Sequence, residues 1–195
     1  MRRFFFIVVG MAFVITVSES KAQVPPDAYN KRALAVADSI LIIASNNLIL
    51  AERMMVSNYL ITETDDSFND TRFYVSPFTK SKQRMPAERV FAKTQFAAEQ
   101  LMLKELNSRL SEFEKQKNLV FDNLYASVSK VPDNAFSMEI KEVVKDVVIL
   151  YRKSFFMVCN NIVPFGLSGV GLSARLEVPA LKARIEMLKI DISKQ

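Results

Sequence analysis

The sequence has no histidine and only one cysteine, Cys159, among its 195 residues. The first absence excludes a serine–histidine triad and removes the commonest zinc ligand. A single cysteine excludes an internal disulfide, so the core must hold the fold together. The acidic pairs Glu112 with Glu114 and Glu139 with Glu142 lie on lysine-rich stretches typical of solvated helix faces. We therefore expect a protein that is not an enzyme, with no catalytic residue, no cofactor and no metal.

Glycine is scarce, since the chain has four and none lies between Gln23 and Phe165. β-Hairpins use glycine at turn positions with positive φ, so its absence favours long helices joined by few connections. The prolines that follow the first 22 residues fall between the segments of periodic apolar residues, where they punctuate the helices. These patterns predict an all-α protein, a bundle of about four helices.

Residues 1–22 have the pattern of a signal peptide. Two arginines precede an uncharged apolar run from Phe4 to Val17, and the small residues Ser20 and Ala22 stand three positions and one position before the expected cleavage site. The run is shorter than the ~20 apolar residues that a spanning helix needs. We expect export to the periplasm or the extracellular space, with a mature single domain at 23–195. An uncleaved membrane anchor is the alternative.

The charge balance gives no reason to expect nucleic acid as a partner. The formal charge of +5 falls to +3 without the leader, which carries three basic residues and one acidic residue. Basic residues also alternate with acidic ones along the chain, whereas a phosphate-binding stripe or a polybasic membrane patch would cluster them.

A first helix is predicted from Asp27 to Ile61. Its polar residues recur at a spacing of seven and form one narrow stripe: Lys31, Arg32, Asp38, Ser39, Ser45, Asn46, Glu52 and Arg53. The rest of its surface is apolar, which predicts a central place in the bundle. A transmembrane span over 33–51 is the alternative, and the ordered polar stripe argues against it.

A polar loop is predicted at 62–85, with a short extended piece at 72–75. Its acidic residues do not fit a calcium loop, because Asp70 stands where glycine is required and Ser76 where the bidentate glutamate is required. A long helix is predicted at 86–128. It carries a coiled-coil-like seam: Leu103, Leu106, Leu110, Phe113, Val120 and Leu124. The seam packs on the first helix within one bundle, or part of the helix projects and pairs with another chain.

A third helix is predicted after N-cap residues at 133–137, and a last one from Pro179, with Leu181, Ile185, Leu188 and Ile192 on one side. Between them lies the uncharged stretch 154–174, with a glycine-containing connection near 160–174. It is interpreted as a buried connection, as an apolar contact loop, or, less well, as a spanning helix. The candidate contact loop consists of Phe165, Gly166, Leu167, Gly169, Val170, Gly171 and Leu172.

The function expected from these features is non-enzymatic. The chain carries surplus apolar helix surface and no reactive constellation, so we expect a structural or accessory component of a cell-envelope or secreted complex. Such a protein acts through protein–protein contacts, with a protein partner or by self-association, and peripheral membrane contact is compatible with the apolar loop. The alternative is a helical carrier of an apolar ligand or lipid, suggested by nine methionines and fifteen phenylalanines.

Overall fold

The computed structural model describes residues 25–54, 56–159 and 172–194. Helix accounts for 75% of them, and four long helices pack together, so the predicted all-α bundle is confirmed. A small antiparallel sheet is added to it. The elements in chain order are α1 (Pro26–Arg53), α2 (Val56–Tyr59), β1 (Leu60–Thr64), β2 (Asp70–Val75), β3 (Lys82–Arg84), α3 (Phe91–Val128), α4 (Ala135–Cys159) and α5 (Leu172–Lys194).

Helix α1 lies at the centre of the bundle, as its sequence predicted. Pro26 occupies the first turn, where a missing N–H costs nothing. Alanines and leucines at a spacing of three and four are buried along it: Ala33, Leu34, Ala37, Leu41, Ala44, Leu48 and Ala51. Helices α3, α4 and α5 all pack against α1, and α4 makes the largest contact. A buried hydrogen bond of 3.3 Å from Ser137 to the Asn30 side chain joins the first turns of α4 and α1.

Two acidic residues of the predicted polar stripe of α1 pair with α5. Asp38 accepts hydrogen bonds from Lys182 at 2.7 Å and Lys189 at 2.9 Å, and Glu52 pairs with Arg175 at the start of α5. Helix α5 therefore runs antiparallel to α1. The window 27–53 is also long and apolar enough to cross a membrane by length and composition. The central helix of a bundle meets the same criteria of length and hydropathy. An apolar helix near the N-terminus is also compatible with export.

The prediction of a loop at 62–85 was wrong, because half of this segment forms strands of a three-stranded sheet in the order β1-β2-β3. The first helix also ends at Arg53 and not at Ile61, which lies in β1. The register pairs Leu60 with Tyr74 and Phe73 with Arg84. Tyr74 and Leu60 are buried in the common core, so tertiary packing stabilises strands here. The extended piece expected at 72–75 lies in β2.

The hairpin turns form without glycine. Phe68 and Lys80 both adopt φ of 60°. In the first turn, the Asp65 carboxylate accepts hydrogen bonds from the backbone N–H groups of Ser67 and Asn69, each at 2.9 Å. These side-chain-to-backbone bonds fix a turn whose backbone would otherwise favour glycine. The inference from scarce glycine to no hairpins failed because it ignored such turns.

Helices α3 and α5 do not begin where the sequence predicted. Helix α3 begins at Phe91 and not at Pro86, and with 38 residues it is the longest element. Helix α5 begins at Leu172, and Pro179 lies inside it. The ion pairs of Arg175 and Glu177 with α1 and α4 hold the turns before Pro179 in place, which offsets the missing hydrogen bond of the proline. The predicted N-cap of α4 is confirmed, because the Asn134 side chain accepts a bond from the Ser137 N–H at 2.8 Å.

The coiled-coil-like seam of α3 packs inside the chain. Leu106 and Val120 are buried, and Leu103, Leu110, Phe113 and Leu124 are partly buried against the same core. Phe121 of α3 also meets Tyr151 of α4 edge to face, with 6.0 Å between ring centroids. The seam therefore joins the bundle, as the first of the two alternatives predicted.

Candidate functional site

The contact loop predicted from the sequence, Phe165 to Leu172, falls almost entirely outside the described residues. Phe165, Gly166, Leu167, Gly169, Val170 and Gly171 belong to the undescribed stretch 160–171, and Leu172 is the first residue of α5. The choice between a buried connection and a contact loop therefore stays a prediction. The described residues instead offer a groove between two helices.

The groove lies between α1 and α3 and has a volume of about 710 Å³. Its α1 wall is formed by Val36, Ser39, Ile40 and Ile43. Its α3 wall runs over four turns: Arg109, Glu112, Phe113, Lys115, Gln116, Leu119, Val120 and Asn123. Val120 and Ile40 are buried at its floor. At ~1.5 Å per residue, the α3 wall is about 21 Å long.

The rim of the groove carries charges of alternating sign. Arg109, Glu112 and Lys115 follow one another at a spacing of three on α3, so each is a neighbour of the next on the helix surface. None of the three forms an ion pair with another described residue, although the Arg109 guanidinium lies 5.3 Å from the centre of the Phe78 ring. An apolar floor with a polar rim is the anatomy of a protein interface.

Apolar side chains on both helices that form the groove are exposed to solvent. Leu119, on the α3 wall, is 61% exposed, and Ile42, one residue before a wall residue of α1, is 56% exposed. Single exposed apolar side chains are common, but Leu119 lines the cleft and so adds exposed apolar surface to it. The groove, with Leu119 on its wall, is therefore an apolar concave surface on the described part of the chain.

The tip of the β1–β2 hairpin shows a second apolar group. Phe68 is 90% exposed and stands at φ of 60°, a conformation that is unfavourable for a bulky residue. Asp65, Asp66 and Asp70 surround it in the sequence. The bonds that Asp65 accepts from the backbone N–H groups of Asn69 and Ser67 lower the pKa of its carboxyl group.

Cys159 ends α4 and is only partly buried. Desolvation raises the pKa of the thiol, and Glu114 acts in the same direction. Lys117 of α3, distant in sequence, lowers it but does not outweigh burial. The thiol therefore remains protonated at neutral pH, as expected for an unreactive cysteine.

The two acidic pairs considered in the sequence lie in different places in the structure. Glu114 pairs with Lys117, whereas Glu112 is on the groove rim. Glu139 and Glu142 line a cavity of about 240 Å³ together with Arg184 and Asp191. Arg184 bonds to Asp146 at 2.8 Å, so its charge is already neutralised. Among the described residues, no three His, Cys, Asp or Glu side chains converge in a way that could hold a metal ion.

The groove was not predicted, although its apolar residues were assigned to the right helices. The surplus apolar surface of α1 and α3 was the signal, but the sequence does not show which part of it neighbouring helices leave uncovered. Phe68 lies in the predicted polar loop, and no sequence pattern marks it as a contact residue. A comparison of the chain with protein families, curated proteins and solved structures found no match.

Proposed function

We propose that this chain is a non-enzymatic helical protein that acts through protein–protein contacts, and that its groove between α1 and α3 receives an amphipathic helix of a partner protein. The observation that carries the proposal is the apolar floor bordered by the unpaired row Arg109, Glu112 and Lys115. A groove between two helices suits a third helix, which adds a member to the bundle.

The row of charges on α3 predicts the charge pattern of the partner helix. A helix lying beside α3 gains most if it presents acid, base and acid opposite Arg109, Glu112 and Lys115. Its buried face carries apolar anchors at i, i+3, i+4 and i+7 over the floor residues Ile40 and Val120. A wall of about 21 Å accommodates four turns of such a helix. A small ligand would leave the exposed Leu119 and Ile42 uncovered.

Leu119→Asp tests this function, because it places a charge on the groove wall at a site exposed enough to leave folding intact. Leu176→Asp on α5 is the matched control, since Leu176 is 66% exposed and is not a groove residue. We expect native mass spectrometry of the protein purified from its own cells to show a heteromeric complex for the wild type and Leu176→Asp, and free chain for Leu119→Asp.

Charge reversal at the rim provides a second test. Arg109→Glu with Lys115→Glu should weaken the complex while circular dichroism shows an unchanged helical signal. Equal retention of the partner by all variants, or equal loss in Leu176→Asp, would contradict the proposal. A complex with twice the mass of the chain would show that a second copy, and not a different protein, occupies the groove.

The proposal places the protein outside the cytoplasm, as a structural or accessory component of a cell-envelope or secreted complex. The signal-peptide pattern of residues 1–22 supports it. Expression in a bacterial host followed by N-terminal sequencing should give a chain beginning at Gln23. Met1 at the start of a carbonate-resistant membrane protein would instead indicate an anchor.

Transport of an apolar ligand is the second candidate, and the size of the groove favours it. About 710 Å³ lies within the ~300 to 1,000 Å³ typical of small-molecule sites, and the floor is apolar. After mild purification, native mass spectrometry should then show a lipid-sized mass that organic extraction removes. Val36→Trp should fill the groove and abolish that mass, and the mass that the wild type carries distinguishes a lipid from a partner protein.

A further inference from the structure

A second cavity, of about 420 Å³, lies where the sheet meets the start of α3. It is lined by three arginines, Arg72 of β2, Arg84 of β3 and Arg89 just before α3, with the buried Met85 among the other lining residues. It shares no residue with the groove between α1 and α3. The backbone N–H of Met85 donates to the Arg72 carbonyl at 2.9 Å, so Arg72 and Arg84 lie on neighbouring strands beside this cavity.

Arg72 is held in place through one side of its guanidinium. Its Nη1 donates to the Glu88 carbonyl at 2.9 Å and to the Thr94 hydroxyl at 3.2 Å, and the Phe91 ring lies 5.1 Å from its central carbon. Its Nε is buried and has no hydrogen-bond partner in the described chain. The edge formed by Nε and Nη2 therefore lacks an acceptor, and this edge matches two oxygens of one oxyanion.

Arg84 and Arg89 are exposed, and neither forms an ion pair with a described residue. Asp70 and Glu88 line the same cavity, yet neither lies within ion-pair distance of an arginine. Asp70 instead accepts a hydrogen bond from the Thr64 hydroxyl at 2.7 Å. The three guanidinium groups are thus left to an anion from outside the chain.

The start of α3 adds a favourable field. No side chain caps this helix, and its first turn contains no acidic residue. The positive end of a 38-residue helix therefore lies next to Arg89, and the first turn of the helix supplies no counter-charge. This feature supports the arginine cavity, whose three guanidinium groups and unpartnered Nε stand independently of it.

We propose that the cavity lined by Arg72, Arg84 and Arg89 binds a phosphate group. The fixed edge of Arg72 takes two of its oxygens, and Arg84 and Arg89 close over the others from the exposed side. A tetrahedral oxyanion with several acceptor oxygens uses all three guanidinium groups, which a single neutral ligand cannot do. Two sources share this chemistry, a soluble phosphate and the headgroup of a phospholipid.

The test uses the purified full chain and Arg84→Gln with Arg89→Gln, because both side chains are exposed and their loss should leave the fold intact. Lys31→Gln with Arg32→Gln is the control, since it removes the same charge from an exposed position on α1. Inorganic phosphate is titrated by calorimetry against chloride of equal ionic strength. We expect saturable binding that is at least about tenfold weaker in the cavity variant and unchanged in the control.

Vesicles distinguish the source of the phosphate group. Phosphatidylcholine vesicles are doped with phosphatidic acid or, at equal charge, with oleate. Binding of phosphatidic acid vesicles that the cavity variant loses assigns the site to a lipid headgroup, and binding of inorganic phosphate alone assigns it to a soluble ligand. The proposal is overturned by equal binding to oleate vesicles, by equal loss in the control variant, or by no saturable binding in either arm.

Discussion

The two sides of α1 are packed in different ways. On the side of α4, the interface is closed by residues that are almost fully buried, among them Ala37 and Leu41 of α1 and Val147 and Leu150 of α4. On the side of α3, the contact is smaller and leaves the groove. Of the 38 residues of α3 only six are buried, and two of these are Thr94 and Ser127. We infer that the first side supplies stability and the second is available for binding.

The contrast extends to the sheet. The sheet packs near the first half of α3, where Ser76 donates a 2.5 Å hydrogen bond to Glu105. Both the groove and the arginine cavity involve α3 or the chain just before it, whereas the small cavity near Glu139 lies between α4 and α5. A long helix with one well-packed end and sparse partners elsewhere offers surface without weakening the core.

The largest expected effect separates the two sides directly. Leu150→Ala empties a fully buried position of α4 and should lower the free energy of unfolding by about 2 to 5 kcal/mol. Leu119→Ala, on the groove wall, should change it by less than about 0.5 kcal/mol, because Leu119 is mostly exposed. Urea unfolding followed by circular dichroism measures both. Similar losses in the two variants would mean that the groove wall is as tightly packed as the α1–α4 interface.

The sequence predicts a feature well when the contacting residues are close in sequence, and poorly when they are far apart in it. Apolar spacing predicted α1, α3 and α4, because a helix face recurs within a few residues. The polar stripe was also correct, but its partner, α5, lies over a hundred residues away and could not be read locally. The sheet was not predicted because its turns contain no glycine. Hydrogen bonds from backbone N–H groups to the side chains of Asp65 and Ser76 stabilise these turns instead, and such bonds are seen only in the structure.

A smaller effect is expected where α1 meets α5. Partial burial alone would raise the pKa of Asp38, but the hydrogen bonds from Lys182 and Lys189 outweigh it and hold the pKa below its ordinary value. Asp38→Asn should therefore cost about 1 kcal/mol at pH 7, since the lysines are partly exposed and Glu186 still binds them.

The pH dependence of that cost has a definite sign. A depressed folded-state pKa stabilises the fold above the unfolded pKa of about 4, and this contribution is lost as the pH falls through the lower folded value. The unfolding free energies of the wild type and Asp38→Asn should thus converge in acid. Asp66→Asn, at an exposed residue that forms no ion pair in the described chain, is the control and should show no such difference at pH 7. A constant gap down to the lowest pH would contradict the ion-pair explanation.

The smallest effect concerns the hairpin tip, and its sign is unusual. Phe68→Gly should leave the unfolding free energy unchanged or raise it by up to about 1 kcal/mol, because glycine adopts the φ of 60° without the steric cost that phenylalanine bears. The larger backbone entropy of unfolded glycine offsets part of this gain. Lys80→Gly, at the same φ in the second turn, should behave alike, and thermal unfolding of both variants measures it. A loss above about 1 kcal/mol for Phe68→Gly alone would show that its ring packs in the folded protein. The hairpin tip would then be part of the packed core and not part of the exposed surface.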